Sequence, residues 1–367
     1  MRTVISITLC FLFFSTVTNL ESGSECKTKS NENGTCKIYR ECPSIRNKLM
    51  RREMSMGDVI RCNNYGVICC PNEIQRNVGD ISKRKCKEIE KFTRVQSRVG
   101  VNILNPNGTL IFTSKCKHKS IGLIVGGKDA AQYEFPHQAL LGYKTGRGVL
   151  WACGGSLISS NYVLTAAHCN LDASLKDIKF VKLGMIDRLQ NDQDVTIYNV
   201  KEVTVHPQYD RITYKNDIAL VKLETNVNFS EFLYPICLPT RQHDEPKALA
   251  TGLGRTGKEH QLSEKLLKVV LEKFSHRECQ EKIRSMDLDK SAVLCYGDHS
   301  ESRDVCRGDS GGPIQVANDA ESHCTYKILG VVSYGASDCG TPGVPSVYVN
   351  VYNYLAWIEG IVWKDEQ

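Results

Sequence analysis

Hydrophobic and polar positions divide the 367-residue chain into stretches of different character. Residues 1–20 carry Arg2, an apolar run from Val4 to Phe14, then small and polar residues. That layout is a secretory signal peptide, too short and wrongly flanked to anchor a membrane. Residues 25–71 are rich in cysteine and lack a sizeable apolar core. Residues 72–123 are polar and charged, with a turn at Asn105-Pro106-Asn107-Gly108 and few periodic apolar positions. They read as an exposed tether that a protease could reach. From Ile124 onward, short β-rich runs alternate with turns: Gln138–Gly142, Gly155–Ile158, Val195–Val205, Asp217–Leu223, Ile328–Ser333 and Val347–Val351. Regularly spaced short strands with glycine punctuation predict an all-β barrel or sandwich. At the end of the chain Val351, Leu355, Ile358 and Val362 have helical spacing, which predicts a helix packing one face on the core.

Charge changes this picture little. The net charge is +6, without a dense Lys/Arg block, and the run Arg46, Lys48, Arg51, Arg52 reads as a solvated face. No nucleic-acid partner is expected, and no membrane, since no later segment is long and apolar enough to span one. The cysteines change it more. There are seventeen, and with Cys10 in the leader an even number remains. That density behind a signal peptide implies disulfides and an extracellular setting. Acceptor tripeptides for glycosylation begin at Asn33, Asn107 and Asn228. Cys26, Cys36, Cys42, Cys62, Cys69 and Cys70 crowd into one short module. A module that small needs cross-links to fold, though counting alone leaves the pairing open.

Candidate chemistry centres on Gly308-Asp309-Ser310-Gly311-Gly312-Pro313. A serine hydroxyl is a poor nucleophile unless a base takes its proton and rigid donors stabilise the oxyanion that follows. Glycines flanking Ser310 allow the tight backbone this requires. The stretch also fits the Gly-x-Ser-x-Gly elbow of an α/β-hydrolase, and chain order separates the two. The elbow expects serine, then acid, then histidine. Here Thr165-Ala166-Ala167-His168-Cys169 and Asn216-Asp217-Ile218-Ala219-Leu220 both lie upstream of the serine.

The three motifs in the order His168, Asp217, Ser310 resemble the chymotrypsin/trypsin family, and the resemblance runs from Ile124 to the C-terminus. It implies two six-stranded antiparallel β-barrels with the site between them and a C-terminal helix. It also implies roles: Ser310 attacks, His168 shuttles the proton, Asp217 orients the imidazole, and the N–H groups of Gly308 and Ser310 form the oxyanion hole. In the bland alternative, His168 and Asp217 are framework residues of an inactive relative.

The N-terminal module, ending in Cys69-Cys70-Pro71, is similar to the clip domain of arthropod extracellular proteases. That resemblance implies the pairs Cys26–Cys69, Cys36–Cys62 and Cys42–Cys70, and a role in partner or substrate recognition. Ile124-Val125-Gly126-Gly127 is, in the family, the N-terminus made by activating cleavage. A freed α-amine is largely protonated at neutral pH and would pair with Asp309, so a zymogen is expected. Leu123 stands where many members have Arg or Lys, as in the upstream snake/persephone-like group. The activator must then accept leucine in a hydrophobic primary pocket.

By the same resemblance, Cys153–Cys169, Cys279–Cys295 and Cys306–Cys339 are internal bridges and Cys116–Cys237 ties linker to protease. Parity then suggests Cys86–Cys324. Asp304, six residues before Ser310, falls at the floor of the primary pocket, where it would select Arg or Lys. Ser333, Tyr334 and Gly335 would wall the pocket, with Tyr334 in place of the usual tryptophan, and Ser346 stands where trypsin has glycine. The two calcium-loop glutamates of trypsin align with Met185 and Val195, so no metal or other cofactor is expected.

The expected organisation is a signal peptide (1–20), a clip domain (25–71), a linker (72–123) and a trypsin-like protease domain (124–367). The expected protein is a secreted endopeptidase zymogen of haemolymph or an equivalent fluid, cut after Leu123 and cleaving after Arg or Lys. Its partners would be the activator, a downstream protease zymogen in an immune or developmental cascade, and a serpin-type inhibitor. The alternatives are a silent homologue acting as an adaptor, or a digestive or venom protease.

Overall fold

The computed structural model describes residues 21–29, 31, 33–42, 45–46, 49, 54–63, 65–71, 78–99, 109–114, 128–171, 177–189, 195–255, 262–284, 286–301, 304–306, 308–318, 325–335 and 341–366. The signal segment, Leu123, Ile124, Asn107, Cys116, Cys324 and Cys339 lie outside them. By packing, the chain divides into residues 1–77 and 78–367.

The first unit is a three-stranded antiparallel sheet of β1 (Glu25–Lys27), β2 (Asn33–Ile38) and β3 (Val67–Pro71). Its interior is largely sulfur: the bridges are Cys26–Cys69, Cys36–Cys62 and Cys42–Cys70. Around them, among the described residues, the buried apolar side chains are Ile45, Val59, Val67 and Ile68. Disulfides here do the work of a core too small to hold the strands alone. Asn33 is exposed on β2.

The second unit begins with α1 (Asp80–Thr93), followed by the hairpin β4 (Arg94–Val99) and β5 (Thr109–Ser114) and by the short β6 (Lys128–Asp129). A closed barrel then forms from β7 (Gln138–Thr145), β8 (Gly148–Leu157), β9 (Tyr162–Thr165), β10 (Ile178–Leu183), β11 (Thr196–Val205) and β12 (Ala219–Leu223). Its strands run β10-β11-β12-β9-β8-β7. The second ring runs β13 (Lys247–Gly252), β16 (Pro313–Ala317), β17 (Tyr326–Tyr334), β18 (Ser346–Asn350), β15 (Val293–Gly297) and β14 (Leu267–Lys273). Pairing of β13 with β14 closes it, and β6 adds to the edge of β14. The fold is therefore the pair of six-stranded antiparallel barrels that the sequence implied. Alternation of side chains across each barrel wall puts one apolar set inside, and the main core cluster draws on both barrels. After the short helices α2 (His168–Leu171) and α3 (His276–Lys282), the helical spacing at the C-terminus is α4 (Leu355–Val362), with Leu355 and Ile358 fully buried.

Two expectations are overturned. Residues 80–93 are helical and packed, not a tether, because Ser82, Cys86, Ile89 and Thr93 share one buried face at helical spacing. The carboxylate of Glu359 on α4 accepts from the Ser82 N–H (2.9 Å), the Ser82 hydroxyl (2.7 Å) and the Gly79 N–H (3.1 Å). It thus satisfies amides at the start of α1 that the helix cannot bond itself. The straps Cys116–Cys237 and Cys86–Cys324 are the second correction. Cys86 bonds Cys237, with Cα atoms 5.0 Å apart, because α1 carries Cys86 into a buried cluster with Ile89, Tyr234 and Cys237. Within the barrels Cys153–Cys169 and Cys279–Cys295 are bonded, and Cys306 is in a disulfide.

Cys86 lies before Leu123 and Cys237 after it. A chain cut between Leu123 and Ile124 is therefore expected to migrate as one species without reductant and as two with it. Separation of the two pieces on a non-reducing gel would contradict the Cys86–Cys237 bond.

Candidate active site

His168 opens the one-turn helix α2 (His168–Leu171) directly after the β9 end, and Asp217 lies just before β12, the strand paired with β9. That pairing brings residues far apart in sequence to one end of the first barrel. The Asp217 side chain is fully buried. Its Oδ2 receives His168 Nδ1 at 2.7 Å and the Ser333 hydroxyl at 2.5 Å, and its Oδ1 receives the His168 N–H at 2.8 Å. Nδ1 is thereby committed as a donor, which leaves Nε2 as the basic edge of the neutral ring. Asn216 sits in the left-handed region (φ 57°), an uncommon state for a non-glycine residue. Its amide donates to the Gln208 carbonyl at 2.8 Å and accepts from the Tyr354 hydroxyl at 2.9 Å.

Ser310 approaches the same place from the second barrel. Its carbonyl accepts from the Gly154 N–H at 2.8 Å, and the Cys169 sulfur lies 3.6 Å from that carbonyl and 4.0 Å from His168 Nε2. The main chain of the serine and the imidazole thus both lie against the Cys153–Cys169 disulfide. Gly311 has φ 80°, and a Cβ there would lie 2.1 Å from Thr165 Oγ1, so glycine is required beside the serine.

Asp309 turns the other way, into the protein. Its Oδ1 accepts from the Gly254 N–H at 2.7 Å and its Oδ2 from the Cys306 N–H at 2.9 Å. Burial pushes its carboxyl up to about 6, opposed by those two bonds and by the positive charge of Arg188. Asp304 Oδ1 accepts from the Val305 N–H at 2.8 Å and the Ser346 hydroxyl at 2.7 Å. That hydroxyl fills the space beside Gly335, where a Cβ would lie 2.5 Å from it. Among the described residues the buried Tyr348 hydroxyl has no hydrogen-bond partner, and burial with the charges of Asp304 and Asp309 raises its pKa well above the usual value.

The structure thus brings His168, Asp217, Ser310, Ser333 and Tyr334 together, with Asp304, Gly335 and Ser346 forming a separate group. Ser333 is buried and engages Asp217, beyond its expected place in a pocket wall. Tyr214 was not read from the sequence. Its ring centroid is 5.8 Å from that of His168 and 5.4 Å from that of Tyr334, and its φ is 53°. No motif marks it; only its place three residues before Asp217 could have raised it. Leu123 and Ile124 lie outside the described residues. Among the described residues the two clusters with metal-ligand geometry, Cys26/Cys36/Cys62 and Cys153/His168/Cys169, use cysteines already oxidised to disulfides, so neither offers thiolates.

A carboxylate-oriented imidazole in the neighbourhood of a serine is an arrangement suited to acyl transfer. Comparison with known proteins agrees. Residues 124–358 match the family model described as Trypsin. The chain is 33% identical over 359 residues to Serine protease snk of Drosophila melanogaster, covering 94% of this chain and 80% of that one. It is 32% identical over 379 residues to Melanization protease 1 of the same fly, covering 92% of each. It is 30% identical over 377 residues to CLIP domain-containing serine protease B4 of Anopheles gambiae, covering 95% of this chain and 94% of that one.

Ser333→Ala removes one of the donors to the buried Asp217 carboxylate. It should lower kcat/KM by about tenfold and move the acid limb of the pH–rate profile upward, because a less satisfied carboxylate holds the His168 proton more tightly. A profile superimposable on that of the unmodified enzyme would show that the Ser333 bond has no bearing on the imidazole.

Proposed function

The chain belongs to the trypsin family and is a serine endopeptidase, and from that premise we propose that it is a secreted zymogen, cut between Leu123 and Ile124, that cleaves after Arg or Lys, Arg preferred. Ser310 attacks the scissile carbonyl while His168 Nε2 takes its proton. Asp217, fixed by its bonds from His168 and Ser333, holds the ring in the tautomer that leaves Nε2 free and stabilises the imidazolium formed. The N–H groups of Gly308 and Ser310 receive the oxyanion. His168 then gives the proton to the leaving amine, and water repeats the cycle on the acyl-enzyme. The observation that supports this reading best is the 2.7 Å bond from His168 Nδ1 to a fully buried Asp217. A buried carboxylate that commits one imidazole nitrogen as a donor leaves the other poised as a general base.

Specificity rests on Asp304. A carboxylate in a hollow narrowed by Ser346 attracts a long cationic side chain and penalises an apolar one. Activation rests on the amine freed at Ile124, which supplies a cation for buried Asp309 and so orders Gly308–Ser310. The activator carries a hydrophobic primary pocket for Leu123. The downstream substrate is another protease zymogen, in keeping with relatives named for clip domains and melanization, and a serpin-type inhibitor ends the activity.

The test is to cut the full-length protein after Leu123 and profile peptides ending in Arg, Lys, Phe and Leu. The cut form should cleave after Arg fastest and the uncut form only weakly. Asp304→Ser should cost the Arg substrate on the order of a hundredfold or more in kcat/KM. Equal rates before and after cutting would refute the activation scheme, and an unaffected Asp304→Ser would remove that residue from the pocket.

A further inference from the structure

Arg188 follows β10 and takes no part in any of the roles above, yet it is among the most firmly held side chains in the protein. It is half-buried. Its main-chain N–H donates to the Glu264 carbonyl at 2.5 Å, and its own carbonyl accepts from the buried Lys182 Nζ at 2.9 Å. Its guanidinium donates to three carbonyls from separate segments: Trp151 at 2.6 Å, Ser263 at 3.2 Å, and Leu253. None of these acceptors is charged. A partly desolvated guanidinium whose acceptors among the described residues are all neutral calls for an anion nearby.

That anion is Asp309, reached through a single peptide unit. The Leu253 carbonyl points at Arg188, and the N–H of the same peptide, on Gly254, donates to Asp309 Oδ1 at 2.7 Å. Cation, peptide dipole and carboxylate follow one another in the order that favours all three. The approach is close: a Cβ on Gly254 would lie 2.4 Å from Asp309 Oδ2, so no other residue could carry the connection.

We propose that Arg188 is a positioning residue for catalysis: through the Leu253–Gly254 peptide it holds Asp309, and with it the Gly308–Ser310 segment, where the amine of the cut chain can pair. The inference rests on the activation reading above. Arg188 touches no reacting atom. Its effect is on how much of the cut enzyme has its amine engaged.

The groups that share this neighbourhood are Asp187 beside Arg188, Lys182 beneath it, and Tyr348 and Asp304 on the far side of Asp309. Burial raises the pKa of the Tyr348 hydroxyl and lowers that of Lys182. A rate profile alone does not separate Lys182 from the amine, so the experiment needs a readout at the amine itself.

Full-length wild type, Arg188→Lys and Arg188→Gln are cut after Leu123 and active-site titrated, so that only folded enzyme is counted. The pH dependence of kcat/KM is measured together with the rate at which cyanate carbamylates Ile124, read by mass spectrometry. An engaged amine is protonated and protected, and the less firmly it is engaged, the lower the pH at which it is lost. Arg188→Gln should move the alkaline limb down by about half a unit or more and speed carbamylation at least threefold, with Arg188→Lys between it and wild type. A protected wild-type amine with Arg188→Gln identical to it would overturn the proposal alone. So would Arg188→Lys falling as far as Arg188→Gln, since the charge would then be irrelevant. A wild-type amine carbamylated as fast as a free peptide would overturn the activation reading and the proposal with it.

Discussion

A carboxylate sealed from water between two barrels is the constraint on which the site depends. Asp217 belongs to the first barrel, but one of its donors, Ser333, lies on β17 of the second. The left-handed Asn216 just before it is fixed from the C-terminal side by Tyr354. Each such bond to a buried charge contributes roughly 1.5–3 kcal/mol, and losing one strands the rest in a medium that solvates them poorly. The barrels must therefore dock correctly for the anion to be tolerated. The same docking aims His168 and brings the Ser310 main chain to the Cys169 sulfur that flanks its Nε2. Folding and the catalytic arrangement are one event here.

Asp309 poses the opposite problem. Its carboxyl is raised from 3.8 to about 6, chiefly by burial. The folded pKa lies above the unfolded one, so the folded chain loses stability as pH rises between those values and carries the cost of an ionised group at neutral pH. Two backbone N–H bonds and the charge of Arg188 offset part of it. A cation arriving from a newly cut N-terminus is what such a group lacks, and this gives activation by proteolysis a physical driving force. Beside Asp217, which is fully satisfied, Asp309 is the carboxylate left with something to gain.

The sequence carried the parts of this architecture that local pattern encodes. Short strands at regular spacing predicted a barrel or sandwich, and the resemblance carried by the order of His168, Asp217 and Ser310 implied the two six-stranded barrels and the candidate site. It did not carry α1. The buried residues of that helix are Ile81, Ser82, Cys86, Ile89 and Thr93, and only the two isoleucines are strongly apolar, so no continuous stripe stands out among the surrounding lysines and glutamates. With the helix unseen, counting cysteines could not choose Cys237 as the partner of Cys86. Tyr214 and Arg188 escaped for a different reason. What they do depends on ring contacts and carbonyl directions that exist only after the barrels close.

Whether Ser310 becomes a nucleophile at all can be asked directly with an arginine-mimicking phosphonate that reacts only with an activated serine. The chain cut after Leu123 should take up one equivalent, mapped by peptide mass spectrometry to Ser310, while Asp217→Asn in the same form labels far more slowly. Label found on another residue, or a cut chain that remains unlabelled, would contradict the account.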